Sequence, residues 1–292
     1  MKTLRAAVAG IAALLCVAGT SQAREMVQIK GSDTLINLVQ REAEEYMAQN
    51  RGTAIAVTGG GSGTGIAALL NGSCDIANAS RLMKTKEVMQ ATGHGIQPKR
   101  IVVAIDALSV ITNGSNPVEK LTMDQIGKIY RGEITNWKDV GGNDQPITLY
   151  GRQPNSGTYD FMKEFVLEGE YSGKMRQMNG NAQIVEAVKQ DATGIGYVGI
   201  GYAAQASGIH LLKVALKQGG DYIDPSNKAN VDNGTYPIAR PLNQYVNGTP
   251  SGAVKDFLMF ELGQAGQQIV VDEGFYAVPD EYKKHNAEIL GI

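Results

Sequence analysis

The sequence predicts an α/β fold of two lobes, each a mostly parallel sheet flanked by helices, joined by two hinge crossings. Three observations carry this expectation. A unit of strand, Gly/Ser/Thr-rich loop and helix recurs through the first hundred residues, the pattern of a layered α/β lobe whose ligand loops sit at the carboxyl ends of parallel strands. The apolar run "RIVVAIDALSVIT" is long enough to pass from one lobe to another. Near the far end, "DNGTYPIARPL" is bracketed by Pro237 and Pro241, which forbid a long helix and mark a chain crossing back.

Taken in order, the chain opens with Lys2 and Arg5, an uncharged apolar run from Ala6 to Ala18, and small residues at Ser21 and Ala23 before Arg24. That pattern predicts a secretory signal peptide over residues 1–23 and an exported, periplasmic mature chain. Cys16 follows Leu15 where a lipoprotein signal would place a small residue, which argues against a lipid anchor. Val27 to Lys30 read as a strand, and "GSDTL" turns into a helix with Leu35, Val39, Ala43 and Tyr46 at helical spacing. Ala54 to Val57 form the next strand; "GGGSGTG" leads to a helix over Ile66 to Leu70, stopped by "NG". "DIANASR" is a third strand with its exit loop.

Beyond the first crossing, Thr122 and Gln125 form a capping box for the helix "MDQIGKIYRG". "ITNWKDVGG" closes it as a turn-rich segment. "ITLYGR" is a strand that delivers Arg152 and Ser156 at its exit, and the following helix carries Tyr159, Met162, Phe165 and Val166 on one face. "GIGYVGIGY" reads as a Gly-rich strand and turn. After the return crossing, the segment from Gly252 to Leu262 and on through "DEGFYAVP" completes the first lobe. Lobe 1 is expected over 24–105 plus 238–292, lobe 2 over 106–237, and the hinge near 102–107 and 236–241.

Composition narrows the function. Removing Lys2 and Arg5 takes the formal charge from −2 to about −4, which argues against a nucleic-acid surface. Any bound anion is then held by local geometry. Cys74 is the only cysteine after the signal, so no intramolecular disulfide forms, and a small buried hydrophobe is its expected role. His94, His210 and His285 lie far apart in sequence and offer little for a zinc site or a His-based triad. No metal, cofactor or catalytic residue is assigned.

Three loops precede helices: "GSDT" at 31–34, "GGGSGTG" at 59–65 and "NSGT" at 155–158. A helix start presents unsatisfied N–H groups and partial positive charge. Ser or Thr at one such start is an ordinary N-cap; three loops shared between two lobes point to a common ligand. The Gly-rich loop lacks the Lys of a P-loop and the glycine spacing of a dinucleotide fingerprint. It is no nucleophile elbow either, because Thr64 stands where the last Gly belongs. Arg152, beside the Ser156 and Thr158 hydroxyls and the N–H groups of Gly157 and Thr158, supplies a planar fork next to a donor nest. That set matches a tetrahedral, phosphate-like oxoanion.

With these motifs in their order, together with "LTMDQIGKIYRGEITNWKDVGG" and "YPIARPL", nearly the whole mature chain resembles the periplasmic phosphate-binding proteins of Pst-type ABC importers. The resemblance implies a type II periplasmic binding fold that closes on one inorganic phosphate and passes it to an ABC permease driven by an ATPase. It implies a monomer with only peripheral contact at the membrane, and no enzymatic activity. Position by position, Thr34 and Leu35 match the first-loop pair that contributes backbone donors, Ser62 the second-loop serine, and Arg152, Ser156, Gly157 and Thr158 the second-lobe clamp. Ser80 and Arg81 stand where well-known members carry the Asp that accepts the ligand's proton.

A proton acceptor distinguishes phosphate, which keeps a proton at neutral pH, from sulfate, which does not; a site built around such a bond discriminates by roughly 10⁴ to 10⁵. Asp33, an addition relative to the shorter first loop of those members, is the expected acceptor, with Arg81 adding charge. An N-cap or turn role for Asp33, and an ion pair to a cleft-wall carboxylate for Arg81, are the structural alternatives. The departure at Ser80 and Arg81 also leaves open another oxoanion: sulfate, arsenate, tungstate or molybdate. A secreted phosphate-binding enzyme would need a nucleophile and acid that the loops do not offer.

Overall fold

The computed structural model describes residues 25–292; the expected signal peptide and Cys16 lie outside the described residues. Twelve strands are present among them: β1 (Glu25–Gly31), β2 (Thr53–Thr58), β3 (Ile76–Ala79), β4 (Pro98–Ala107), β5 (Ser109–Asn113), β6 (Lys120–Thr122), β7 (Thr148–Arg152), β8 (Arg176–Met178), β9 (Gly194–Val198), β10 (Ile209–Leu211), β11 (Lys213–Ala215) and β12 (Ala239–Asn247). They form two five-stranded sheets, ordered β2-β1-β3-β12-β4 and β10-β5-β9-β7-β8, and a small β11-β6 pair. In the first sheet β1 pairs in parallel with β2 and β3; in the second, β7 pairs in parallel with β8 and β9. The antiparallel pairs involve β12, β5 and β10. This is the two-lobed α/β architecture, with a parallel group of three strands in each sheet, β2-β1-β3 and β9-β7-β8.

The helices that carry the ligand loops follow the parallel strands directly: α1 (Ile36–Gln49) after β1, α2 (Ser62–Leu70) after β2, and a short helix at Gly157–Met162 after β7. Helix α1 buries Leu38, Val39, Ala43 and Tyr46 in the core cluster that holds Val27, Ile29 and Phe257, the Leu and Val side chains contributing ~1.5–3 kcal/mol each when fully buried. Helix α2 begins at Ser62, four residues earlier than its apolar pattern indicates, so the Gly loop ends inside the first helical turn. The Thr122 capping box forms, Oγ1 accepting from Gln125 N at 3.1 Å. Phe165 departs from the expected face: it is 60% exposed while Met162 and Val166 are buried. The cause is a π-helical turn over Lys163–Leu167, whose wider repeat rotates Phe165 away from the stripe that a 3.6-residue period predicts.

The crossings are adjacent and bonded to each other. β4 runs into β5 with only Leu108 between them, and Leu108 N donates to the Ile238 carbonyl at 3.0 Å. Tyr236 Oη donates to the Leu108 carbonyl at 2.7 Å. Pro241 lies inside β12, a central strand, immediately before a register shift at Leu242/Asn243; a bulge accommodates the missing donor there. Cys74 is buried, and burial pushes its thiol up to about 12, which makes it an inert part of the core.

A candidate anion cleft between the two sheets

Five hydroxyls from both lobes converge where the three loops meet. Thr34 Oγ1 lies 3.0 Å from Thr158 Oγ1, Ser32 Oγ donates to Ser80 Oγ at 3.0 Å, and Ser80 Oγ lies 3.3 Å from Ser62 Oγ and 3.5 Å from Thr158 Oγ1. Ser80 N donates to Ser62 Oγ at 3.0 Å. Thr34, Ser62, Ser80 and Thr158 are all buried. The lobes approach closely here, and glycine permits it. A Cβ added to Gly157 would press on Ser62 Oγ and stand 2.8 Å from Ser80 Oγ, and one on Gly61, whose φ is +92°, would stand 2.6 Å from the Asn155 carbonyl. Gly63 N donates to that same carbonyl at 3.0 Å, and Asn155 Nδ2 donates to the Gly60 carbonyl at 2.6 Å.

Arg152 is 1% exposed at the end of β7. Its Nη2 pairs with Asp33 Oδ2 and donates to the Asn179 carbonyl at 2.9 Å. Its Nε and Nη1 are buried without a hydrogen-bond partner. A buried guanidinium normally has its donors satisfied, so two free ones mark a place where an acceptor belongs. Asp33 Oδ1 accepts from Gly60 N at 2.9 Å. Its carboxylate therefore bridges the first two loops to the Arg of the opposite lobe, while the Asp33 backbone carbonyl accepts from Tyr202 Oη at 2.7 Å. Arg152 N donates to Tyr197 Oη at 3.0 Å, and burial pushes the Tyr197 hydroxyl up to about 12.

Of the remaining residues singled out in the sequence, three have their groups engaged within the protein. Leu35 N donates to the Ser32 carbonyl at 3.1 Å, closing the turn before α1. Ser156 Oγ caps its helix, accepting from Thr158 N at 3.2 Å. Arg81 sits among carboxylates: Nη1 and Nη2 donate to Glu87 at 2.7 and 2.8 Å, and Nε lies 2.9 Å from Asp160 Oδ2 as an ion pair without hydrogen-bond alignment. Burial alone would raise Glu87; the Arg81 bond, the Lys84 N–H and the charges of both residues together outweigh it and hold the carboxyl below its ordinary value. Asp160 also pairs with Lys84 Nζ at 2.6 Å, so this cluster ties the third loop of lobe 1 to the helix of lobe 2.

Sequence reasoning passed over two residues that reach the hydroxyl cluster, Arg240 and Asp106. Arg240 Nη2 donates to Thr158 Oγ1 at 3.0 Å and to Asp106 Oδ2 at 2.8 Å. A signal existed for both: Asp106 is the one charge inside the apolar run from Ile101 to Thr112, and Arg240 stands just before Pro241 in the return crossing. Among the described residues no three His, Cys, Asp or Glu side chains gather into a metal-holding group, and no helix is long and apolar enough to cross a membrane.

Two sheets joined by two crossings, with helix-start loops and a partly unpartnered arginine facing one cleft, define the architecture of a solute-binding protein. A model of the PBP superfamily domain matches residues 17–264, and the chain belongs to that superfamily. It is 33% identical over 280 residues to the phosphate-binding protein PstS of Pseudomonas aeruginosa strain PAO1, covering 90% of this chain and 86% of that protein. It is 32% identical over 299 residues to protein SphX of Synechococcus elongatus, covering 96% and 88%. Among solved structures, a phosphate ABC transporter substrate-binding protein from Clostridium perfringens with bound phosphate superposes with a TM-score of 0.78 at 30% identity. It covers 87% of this chain and 100% of that one. These matches bear out the likeness to the Pst-type family that the motifs carry.

Proposed function

We propose that this protein is an extracytoplasmic solute-binding protein that captures one inorganic phosphate in the cleft between its lobes and delivers it to an ABC importer. The observation that carries the reading is Arg152: a guanidinium 1% exposed, with Nε and Nη1 unpartnered, facing loops of the opposite lobe. The names of the relatives, PstS in Pseudomonas aeruginosa and a phosphate-bound substrate-binding protein in Clostridium perfringens, support the same ligand.

In this reading lobe 1 comprises 24–105 and 238–292 and lobe 2 comprises 106–237. The hinge is the bonded pair of crossings at Leu108 and Tyr236–Ile238. Arg152 grips two phosphate oxygens; the Thr34, Ser62, Ser80 and Thr158 hydroxyls and the N–H of Gly157 at the helix start donate to the others. Asp33 accepts the proton that phosphate carries at neutral pH. Ser156 and Leu35 shape the donor loops. Arg81, with its guanidinium engaged by Glu87 and Asp160, acts by holding the lobes together. The mature chain is exported as a monomer, has no enzymatic activity, and presents the closed form to a permease with its ATPase.

Enclosing a dianion costs its hydration, so one lobe alone binds weakly and closure completes the donor set. Charge-assisted hydrogen bonds of ~1.5–3 kcal/mol each, taken together, support sub-micromolar affinity after ordering costs. Calorimetric titration of the ligand-stripped mature chain tests this. One-to-one phosphate binding that excess sulfate leaves unchanged is the expected result; equal binding of both anions, or preference for sulfate or tungstate, assigns the cleft to a different oxoanion.

A further inference from the structure

Two buried arginines bond across the lobes, Arg152 to Asp33 and Arg240 to Thr158, and they differ in what they have left to give. Arg152 has two donors without partners. Arg240 has every nitrogen engaged: Nε and Nη2 donate to Asp106 Oδ2 at 3.1 and 2.8 Å, Nη1 to the Ser80 carbonyl at 2.9 Å, and Nη2 also to Thr158 Oγ1 at 3.0 Å. The Phe161 ring lies 5.1 Å from its guanidinium carbon. The Arg240 and Asp106 side chains are 2% and 0% exposed. A group so fully held is a poor direct ligand for an anion, and it is well placed to fix another group.

The group it fixes is Thr158. A hydroxyl has one proton to give and two lone pairs to receive with, and a guanidinium only donates. With Arg240 occupying a lone pair of Thr158 Oγ1, the Thr158 proton is directed away from Arg240, toward the side of Thr34 and Ser80 where the proposed anion sits. Asp106 adds the link to closure, because its other oxygen, Oδ1, accepts from Ile200 N at 2.9 Å in the second lobe, while Arg240 belongs to β12 in the first sheet.

We propose that Arg240 is a positioning residue for the anion site: held by Asp106 at the hinge, it orients the Thr158 hydroxyl to donate to the bound oxoanion when the lobes close. This rests on the phosphate-binding reading above. It assigns to the return crossing a part in recognition in addition to its part as a hinge.

The test is a double-mutant cycle on phosphate affinity. Removing one partner of a buried ion pair destabilises a fold strongly, so the cycle uses Asp106→Asn with Arg240→Met, which removes both charges and leaves an acceptor for Ile200 N. This background is compared with and without Thr158→Val, alongside the parent chain and Thr158→Val alone, each first checked for a parent-like thermal transition without ligand. The expected result is a loss of about tenfold or more in phosphate affinity for the hinge variant, a similar loss for Thr158→Val, and little further loss on combining them, because both remove one oriented donor. Parent-like affinity in the hinge variant, or losses that multiply in the combination, overturns the proposal. If the parent itself does not bind phosphate, it is the underlying functional reading that fails.

Discussion

Arg152 and Asp33 form the most informative pair of side chains in the molecule, because each has capacity beyond the bond that joins them. Arg152 keeps two buried donors free, and Asp33 bridges Gly60 N and Arg152. A lysine at 152 keeps the charge and loses the planar fork, so Arg152→Lys is expected to weaken phosphate binding by about tenfold or more, read by titration, with binding remaining one-to-one. If Asp33 is the proton acceptor of the proposed site, Asp33→Asn should let sulfate compete with phosphate more strongly than it does in the parent chain. Unchanged discrimination would return Asp33 to a purely structural role. Arg152, Ser62 and Thr158 were legible in the sequence because each stands at a junction of strand, Gly/Ser/Thr loop and helix: Arg152 at the strand end, Ser62 and Thr158 in the first helical turn. For Arg81 the sequence offered an ion pair to a cleft-wall carboxylate beside added charge at the anion; the partners themselves, Glu87 and Asp160, were not legible, because they come from separate elements that only the tertiary fold brings together.

At the scale of the elements, the contact between the loop of β7 and those of β2 and β3 depends on Gly157. Alanine at this first helical position suits the helix itself. Its Cβ would nevertheless meet the Ser62 and Ser80 hydroxyls of the other lobe. Gly157→Ala should therefore leave the ligand-free stability within about 0.5 kcal/mol of the parent and reduce phosphate affinity, a separation that thermal melts and titration can measure side by side. Away from the cleft, Glu42 of α1 and Glu261 of the helix Gly252–Leu262 are both fully buried. Gln244 Nε2 donates to Glu261 Oε1 at 2.9 Å, while both Glu42 oxygens lack a donor. A proton on one carboxyl supplies the missing donor between them. Burial pushes Glu261 up to about 8, and burial, then the neighbouring Glu261, raises Glu42 well above its usual range. Carboxyls with raised folded-state values stabilise most below their unfolded value near 4.5, and this contribution is lost as pH rises toward and through 8. The melting temperature should fall over that window, and Glu42→Gln should flatten the fall. An unchanged pH profile would show that the pair does not share a proton. The 3.6-residue period placed Tyr46 and Ala43 correctly and gave no hint that Glu42 is buried beside them, since a lone acid on a helix reads as a solvated position.

At the scale of the whole molecule, the two-lobed plan was legible because strand, loop and helix recur in a fixed order and because two proline- or apolar-marked segments had to carry the chain between lobes. The bonding of those crossings to each other was not, since Leu108 lies far in sequence from Tyr236 and Ile238 and meets them only when both sheets are formed. The same holds for the hinge ion pair of Asp106 and Arg240. The lobes meet through bonds that closure must make together: Asn155 to the Gly loop, Asp33 to Arg152, Arg81 and Lys84 to Asp160, and Arg240 to Thr158. A ligand shifts the population toward that closed form only by its differential affinity for it. Small-angle X-ray scattering of the ligand-stripped chain, titrated with phosphate and separately with sulfate, measures this most directly. The expected result is a smaller radius of gyration that saturates at one phosphate per chain, with no comparable change with sulfate. An unchanged radius across a phosphate titration, or equal compaction by both anions, would contradict it.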